Sequence, residues 1–302
     1  MLELKGLSTE QRNEKTMELD LMTPKEIVSI MNEEDNRVVA AVHSQLDQIA
    51  EAVEIVTAAF EQDGRLIYMG AGTSGRLGVL DAVECVPTFG VDENKVIGLI
   101  AGGDQAFVRA VEGSEDSQEL AREDLKELGL SDKDVVVGIA ASGRTPYVIG
   151  GLCYAGEVGC KRISIACCHD SKVAEYADVA IEAVAGPEVL TGSTRLKAGT
   201  CQKMILNMIS TASMVGIGKA YQNLMVDVLQ TNEKLQVRAQ NIVMQATGAT
   251  RETAASMLKA CNGSAKTAIV AILLNCDPDV ARQQLEKGSG KVRLAVQKAE
   301  KE

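Results

Sequence analysis

Five short apolar runs, each bounded by turn residues and each separated from the next by a helix-length stretch, constrain this chain more than any other feature. They are Leu66 to Met69, Val96 to Ala101, Val135 to Ala140, Ile163 to Ala166 and Val179 to Val184. Continuously apolar runs fit strands covered on both faces, and the connections are long enough for right-handed crossovers that return each strand parallel to the last. The expected fold is therefore α/β, a doubly wound five-stranded parallel sheet.

The segments around the runs read as helices. Thr23 suits a helix cap with Pro24 at its first position, and Ile27, Ile30, Met31, Val38, Val42, Leu46, Ile49, Val53 and Val56 recur at three- and four-residue intervals up to Phe60. After Gly192 a long helix is expected to about Ile217, and another around Tyr221 to Leu229. Beyond Thr231-Asn232-Glu233-Lys234 come short helical pieces over Leu235 to Gln245, Arg251 to Lys259, Ala265 to Leu274 and Pro278 to Gly288. The chain thus divides into a main domain over 1–235 and a small helical module over 236–302.

Composition narrows what such a fold does. A net charge of −11 argues against a partner that is nucleic acid or anionic lipid, and 3% aromatic residues without tryptophan leave little for base stacking. Any phosphate must be held locally. No apolar run reaches a membrane span and Met1 to Lys5 lacks a signal peptide's apolar stretch, so the expectation is a soluble cytoplasmic protein. The eight cysteines contain no C-x-x-C pair and read as small buried hydrophobes in a reducing compartment. With His43 and His169 on different segments, no zinc site is expected.

Chemistry concentrates at two strand ends. The first run leads into Gly70-Ala71-Gly72-Thr73-Ser74-Gly75-Arg76, which matches G-x-G-x-x-G. A dinucleotide site would need an acidic residue closing the second strand, yet Asp92 and Glu93 precede that strand and Asp104 comes late. The third run ends in a comparable loop, Ala141-Ser142-Gly143-Arg144-Thr145-Pro146. Two loops with hydroxyls and glycine-freed amides, each opening a helix, suit a phosphate monoester, favoured by roughly 0.3–1 kcal/mol per helix end. Read alone, both are also ordinary strand-to-helix turns.

Gly70 to Gly78, Ala141 to Tyr147 and the long run from Gly186 to Thr200 resemble the N-acetylmuramic acid 6-phosphate etherases, of the sugar-isomerase (SIS) class of phosphosugar-binding domains. The resemblance runs from Thr9-Glu10-Gln11-Arg12-Asn13 through Asn223-Leu224-Met225-Val226-Asp227 into the tail. It implies a flavodoxin-like sheet and a ubiquitin-associated-like three-helix module at the C-terminus. It implies elimination of D-lactate from C3 of an opened 2-acetamido sugar 6-phosphate, followed by addition of water. It also places the family's catalytic acids at Glu84 and Glu115. Glu84 is then the acid for the departing lactate oxygen, and Glu115 the base for the C2 proton.

Taken by itself, Glu84 lies in a mostly apolar stretch beside Asp81, and Glu115, among Glu112, Asp116 and Glu119, reads as a solvated helix start. Gly72, Thr73, Ser74, Ser142, Gly143 and Thr145 are the expected phosphate holders. Arg195 and Lys197 are candidates for the lactate carboxylate, or else form a solvated cationic helix start. No metal or redox cofactor is required, and a homodimer with sites near its interface is expected. Rival readings are an aldose/ketose isomerase of the same fold, a non-catalytic phosphosugar sensor and a dehydrogenase.

Overall fold

A computed structural model describes residues 8–109, 111–228 and 233–301. The five runs form β1 (Leu66–Gly70), β2 (Val96–Ile100), β3 (Val135–Ile139), β4 (Lys161–Ala166) and β5 (Val179–Glu182), all parallel, in the order β2-β1-β3-β4-β5. Every residue of β1 and β3 is buried, as continuous apolar runs require of central strands. Because the chain steps from β1 outward to β2 and then back across to β3, the crossovers change direction between β1 and β3. That is the switch point at which open α/β sheets bind ligands, outside the carboxyl ends of the strands.

The segment before the sheet is two helices, α1 (Pro24–His43) and α2 (Leu46–Glu61). Thr23 caps α1 and forms a reciprocal capping box with Glu26. The pair breaks at Ser44–Gln45, where the Gln45 carboxamide oxygen accepts from the Glu182 amide at the end of β5. Crossover helices follow as α3 (Gly72–Phe89), α4 (Asp104–Val108), α5 (Gln118–Glu127), α6 (Pro146–Val158) and α7 (Lys197–Gly216). Buried polar ties fix them to the strands. The Tyr68 hydroxyl on β1 donates to Asp81 on α3, whose other oxygen accepts from Asn207 and Ser210 on α7. Arg65 forks onto Asp134 at the opposite edge of β1 and β3.

The chain divides into two compact units: the first takes the chain to Val83 together with Glu93–Ser210, and the second takes Glu84–Asp92 and the chain from Thr211 on. The second unit departs from the sequence expectation at Tyr221 to Leu229. Tyr221, Leu224, Met225 and Val228 fit a helical period, yet the chain forms a ribbon of β6 (Ala220–Tyr221) and β7 (Leu224–Met225) turning at Gln222, whose φ is 55°. Beyond it Val226 and Val228 are buried and Asp227 between them is not, a period of two. Leu229 lies outside the described residues.

The tail holds α8 (Glu233–Thr247), α9 (Arg251–Ala260), α10 (Ala265–Leu274), α11 (Pro278–Lys287) and α12 (Val292–Ala299); the first four correspond to the four helical pieces read from the sequence, and α12 follows them. Ala239, Val243, Ala254, Ala268, Ile269 and Ala281 form their shared core, and Lys266 on α10 pairs with Asp227 at 2.6 Å. No single described helix is long and apolar enough to cross a membrane. All eight cysteines are free; six are buried, and Cys153 and Cys276 are half-buried.

Candidate functional site

The two loops singled out from the sequence begin side by side, because Gly70, the last residue of β1, is in register with Ile139, the last of β3. Each opens a helix, α3 at Gly72 and α6 at Pro146. The first turn of α3 presents amides without intrahelical acceptors, since the Gly75 amide is the first to bond back, to Ala71. Close packing here depends on glycine. A Cβ on Gly75 would stand 2.6 Å from the Gly70 carbonyl oxygen and 2.7 Å from the Ile100 side chain, so helix and strand would have to part. In the second loop Gly143 has φ 68°, and a Cβ there would lie 2.4 Å from that of Ser171.

Two cavities flank these loops. One, of about 370 Å³, is lined by Ser142, Arg144, Thr145, Ile149 and Lys172 together with Glu115 and Asp116. The other, of about 180 Å³, is lined by Gly72, Arg76, Ala106 and Val111 together with Glu112 and Glu115. Glu115 lines both. It sits in a 3₁₀ turn, Ser114–Asp116, set off by Gly113 in the left-handed region, and is exposed as the solvated reading had it. The result is a crevice with hydroxyls and cations on the β3 side and a carboxylate between its two lobes. Larger clefts of about 580 and 550 Å³ lie elsewhere. The first carries Asp170, Glu175 and Glu182 in its wall, three carboxylates that would repel a phosphate dianion, and neither sits at the switch point.

The other candidates fare differently. Thr145 is the N-cap residue of α6 yet makes no side-chain cap bond, which leaves its hydroxyl available. Thr73, half-buried, opens the first turn of α3 beside the exposed Gly72. Ser74 does not offer its hydroxyl proton to a ligand: it is 7% exposed and donates to the Gln202 carboxamide oxygen at 3.0 Å. Only its backbone amide belongs to the first turn. Glu84 lies within α3, twelve residues beyond Gly72, exposed, and lines neither cavity. Arg195 is also exposed and lines neither.

Lys197 is not a solvated cation. It is 1% exposed and its Nζ pairs with Glu34 of α1 at 2.7 Å. Glu34 also accepts from Asn13 at 2.9 Å. Burial works against the Glu34 carboxylate, but the hydrogen bonds from Lys197 and Asn13 win and hold its pKa below the usual carboxylate range. Beside it Glu188 caps α7, accepting from the Lys197 and Ala198 amides at 3.0 and 2.9 Å, while burial pushes its own carboxyl up. Arg76, Arg144 and Lys172 are the lining cations that sequence reasoning did not single out. Arg144 stood inside the quoted loop, whereas Lys172 follows β4 in a stretch without any motif.

Comparison with known proteins follows the same lines. Residues 48–156 match the glucokinase regulatory protein N-terminal SIS domain, and residues 116–212 match the SIS domain. An N-acetylmuramic acid 6-phosphate etherase of Geobacillus sp. (strain WCH70) is 60% identical over 294 residues, 97% of this chain and 100% of that one. One from Bacillus mycoides (strain KBAB4) is 57% identical over 293 residues, with the same coverage of 97% and 100%. Among solved structures, a phosphoheptose isomerase from Francisella tularensis has a TM-score of 0.49 at 16% identity, covering 64% of this chain and 100% of that chain.

Proposed function

Because this chain belongs to the N-acetylmuramic acid 6-phosphate etherases, we propose that the crevice between β1 and β3 is its active site, with Glu115 and Glu84 as its acid–base pair. The protein is a carbon–oxygen lyase. It cleaves the D-lactyl ether of N-acetylmuramic acid 6-phosphate and yields N-acetylglucosamine 6-phosphate and D-lactate in the recycling of cell-wall amino sugar. An ether is a poor electrophile, so the reaction proceeds by elimination from the ring-opened aldehyde, whose C2 proton is acidic.

In this reading the 6-phosphate lies across the first turns of α3 and α6, on the amides of Gly72, Thr73 and Ser74, the hydroxyls of Thr73, Ser142 and Thr145, and the loop at Gly143. Clamping the phosphate spends remote binding energy on holding C2 and C3 in place. The Glu115 carboxylate takes the proton from C2, the C3–O bond breaks, and Glu84 protonates the departing lactate oxygen. Glu84 then deprotonates the water that adds at C3, and Glu115 returns the proton to C2. Arg195 is left as a candidate for the lactate carboxylate, while Lys197 acts from inside the fold. Cytoplasmic placement follows from the substrate, since a phosphate dianion does not cross a bilayer unaided.

The observation that carries the site is the position of Glu115, in the wall of both cavities beside the phosphate loops. Glu115→Gln should lower D-lactate release at least about 100-fold, a usual loss for a general base. It should also abolish exchange of the C2 proton into deuterated water while leaving product binding nearly intact. A variant that still exchanges C2 at the wild-type rate would move the base elsewhere, with the neighbouring Glu112 the first to test.

A further inference from the structure

The cleft of about 580 Å³ lies between the first turn of α2 and the segment that joins β4 to β5, and the etherase reading makes no use of it. Its wall carries Asp170, Glu175 and Glu182 and no lysine or arginine. Lys172 reaches Glu175 at 3.7 Å from outside that wall, with both side chains more than half exposed, and an ion pair so placed neutralises little. Glu182 is held where it stands, accepting from the amides of Asp170 and Ser171 at 3.1 and 2.8 Å.

Two polar atoms of the same wall are orphaned. Ser171 is 3% exposed and its Oγ has no hydrogen-bond partner, and the Oε1 of Gln48 is buried and equally without one. Buried polar groups are nearly always paired, so two orphans facing one concavity point to a ligand that pairs them. The three carboxylates do not converge on a point: among the described residues no set of three His, Cys, Asp or Glu lies close enough together to hold a metal ion. The cation that suits this wall therefore spreads its charge and its donors over several atoms.

The segment that lines the cleft also supports the second phosphate loop. The Cys168 thiol donates to the Ser142 carbonyl at 3.2 Å and the Val173 amide to the Gly143 carbonyl at 3.0 Å. Lys172, next to Ser171, lines the 370 Å³ cavity on the other side. We propose that the cleft binds a small organic cation, one with a primary ammonium and further hydrogen-bond donors, and that its occupancy raises the affinity of the phosphate crevice. Neutralising the carboxylates removes repulsion from a neighbouring dianion, and pinning residues 169–175 holds the loop that rests on them. The effect on the crevice rests on the etherase reading above; the site itself does not.

Isothermal titration of the full chain tests the site, with putrescine and D-glucosamine as probes, uncharged N-acetyl-D-glucosamine as control and Mg²⁺ as a separate titrant. At least one amine should bind where the neutral sugar and Mg²⁺ do not, and the tighter of the two tells a diamine from an amino sugar. Asp170→Asn, which suits a residue whose φ is 51°, combined with Glu175→Gln should weaken the amine at least tenfold. Gln48→Leu should weaken it too, yet raise the melting temperature, because an unpaired oxygen has gone; a Gln48 with a merely structural role would lower it. No binding of either amine at millimolar concentration, binding unchanged in both variants, or Mg²⁺ bound in place of the amine overturns the site. In steady-state kinetics a saturating amine should lower KM for N-acetylmuramic acid 6-phosphate about fivefold in the wild type and leave the Asp170→Asn, Glu175→Gln variant unmoved. Amine binding with an unchanged KM overturns the coupling alone, whereas a wild type that releases no D-lactate overturns the etherase reading and leaves the titration to judge the site.

Discussion

Replacing Lys197 by methionine should destabilise the first unit by about 3 kcal/mol without weakening substrate binding. Lys197 and Glu34 are each 1% exposed and pair at 2.7 Å, and removing one member of such a pair costs about 3–5 kcal/mol because the other charge is left buried. The lower end applies here. Glu34 keeps its hydrogen bond from Asn13 at 2.9 Å, with Lys15 and Arg37 at 3.4 and 3.6 Å. Glu34→Gln belongs at the upper end, since Glu34 is the only carboxylate within ion-pair distance of Lys197 among the described residues.

At about 2–4 °C per kcal/mol for a unit of this size, Lys197→Met should lower the melting temperature by about 6–12 °C. The double variant Glu34→Gln, Lys197→Met should cost less than the two single changes together, a coupling of at least about 2 kcal/mol. Urea titration followed by circular dichroism measures all of this, with the two units fitted as separate transitions. The pH dependence has a definite sign. Because the folded pKa of Glu34 is depressed, its stabilisation is full above the unfolded value near about 4.3 and is lost as pH falls through the folded value. The gap between wild type and variant should therefore be widest at neutral pH and narrow below about pH 4. A Lys197→Met protein with an unchanged urea midpoint and a KM raised tenfold would refute the inward reading and return Lys197 to the substrate.

The two loop hydroxyls should separate cleanly. Thr145→Val should leave the melting temperature within about 1 °C and raise KM, whereas Ser74→Ala should cost about 1–3 kcal/mol because it strips the fully buried Gln202 of its partner. Equal loss of stability in both would contradict the assignment. Gly143→Ala should impair both stability and KM, since the new methyl meets Ser171 and Cys168 in a left-handed backbone; Gly72→Ala, with φ 54° but open space around it, should pay only the backbone cost of about 1 kcal/mol. Differential scanning with steady-state kinetics distinguishes the pair. Thiol reagents at pH 8 should label Cys153 and Cys276 first, because burial pushes Cys160 and Cys168 up to about 12 and about 11. Mass spectrometry showing Cys168 labelled as fast as Cys153 would contradict this.

The sheet was legible because a strand buried on both faces is apolar at nearly every position and the runs recur at helix-length spacing; Ala268 to Leu274 is as apolar yet forms α10, so the run alone does not decide. The ends read for β1, β2 and β3 differ from the observed ones by one residue. Local periodicity failed where two periods fit the same residues. Tyr221 to Val228 satisfies both a helical and an alternating template, and Gly218 with φ 84° followed by Gln222 in the left-handed region decides for the ribbon. The short α12 lies beyond the Gly288–Gly290 turn, a helix of eight residues whose Val292, Ala295 and Val296 fall at helical spacing in or against the tail's core. Lys197 failed for a different reason. A lysine at a helix start is a surface residue by default, and only the fold reveals a carboxylate 163 residues away in sequence waiting under it.

That buried pair explains what the longest motif is for. Thr9 to Asn13 and Gly186 to Thr200 lie far apart in sequence, yet Asn13 bonds both Glu34 and the Pro187 carbonyl, and Thr16 bonds the Val189 carbonyl at 2.9 Å. Glu188 and Lys197 between them fix the first turn of α7 on both its backbone and its side-chain face. The consequence is felt one turn further on, where Gln202 of α7 takes the hydroxyl proton of Ser74 and so sets the first turn of α3. The motif thus includes a brace that ends at the first turn of α3. An ion pair with no access to solvent anchors the helix whose Gln202 sets the first turn of α3.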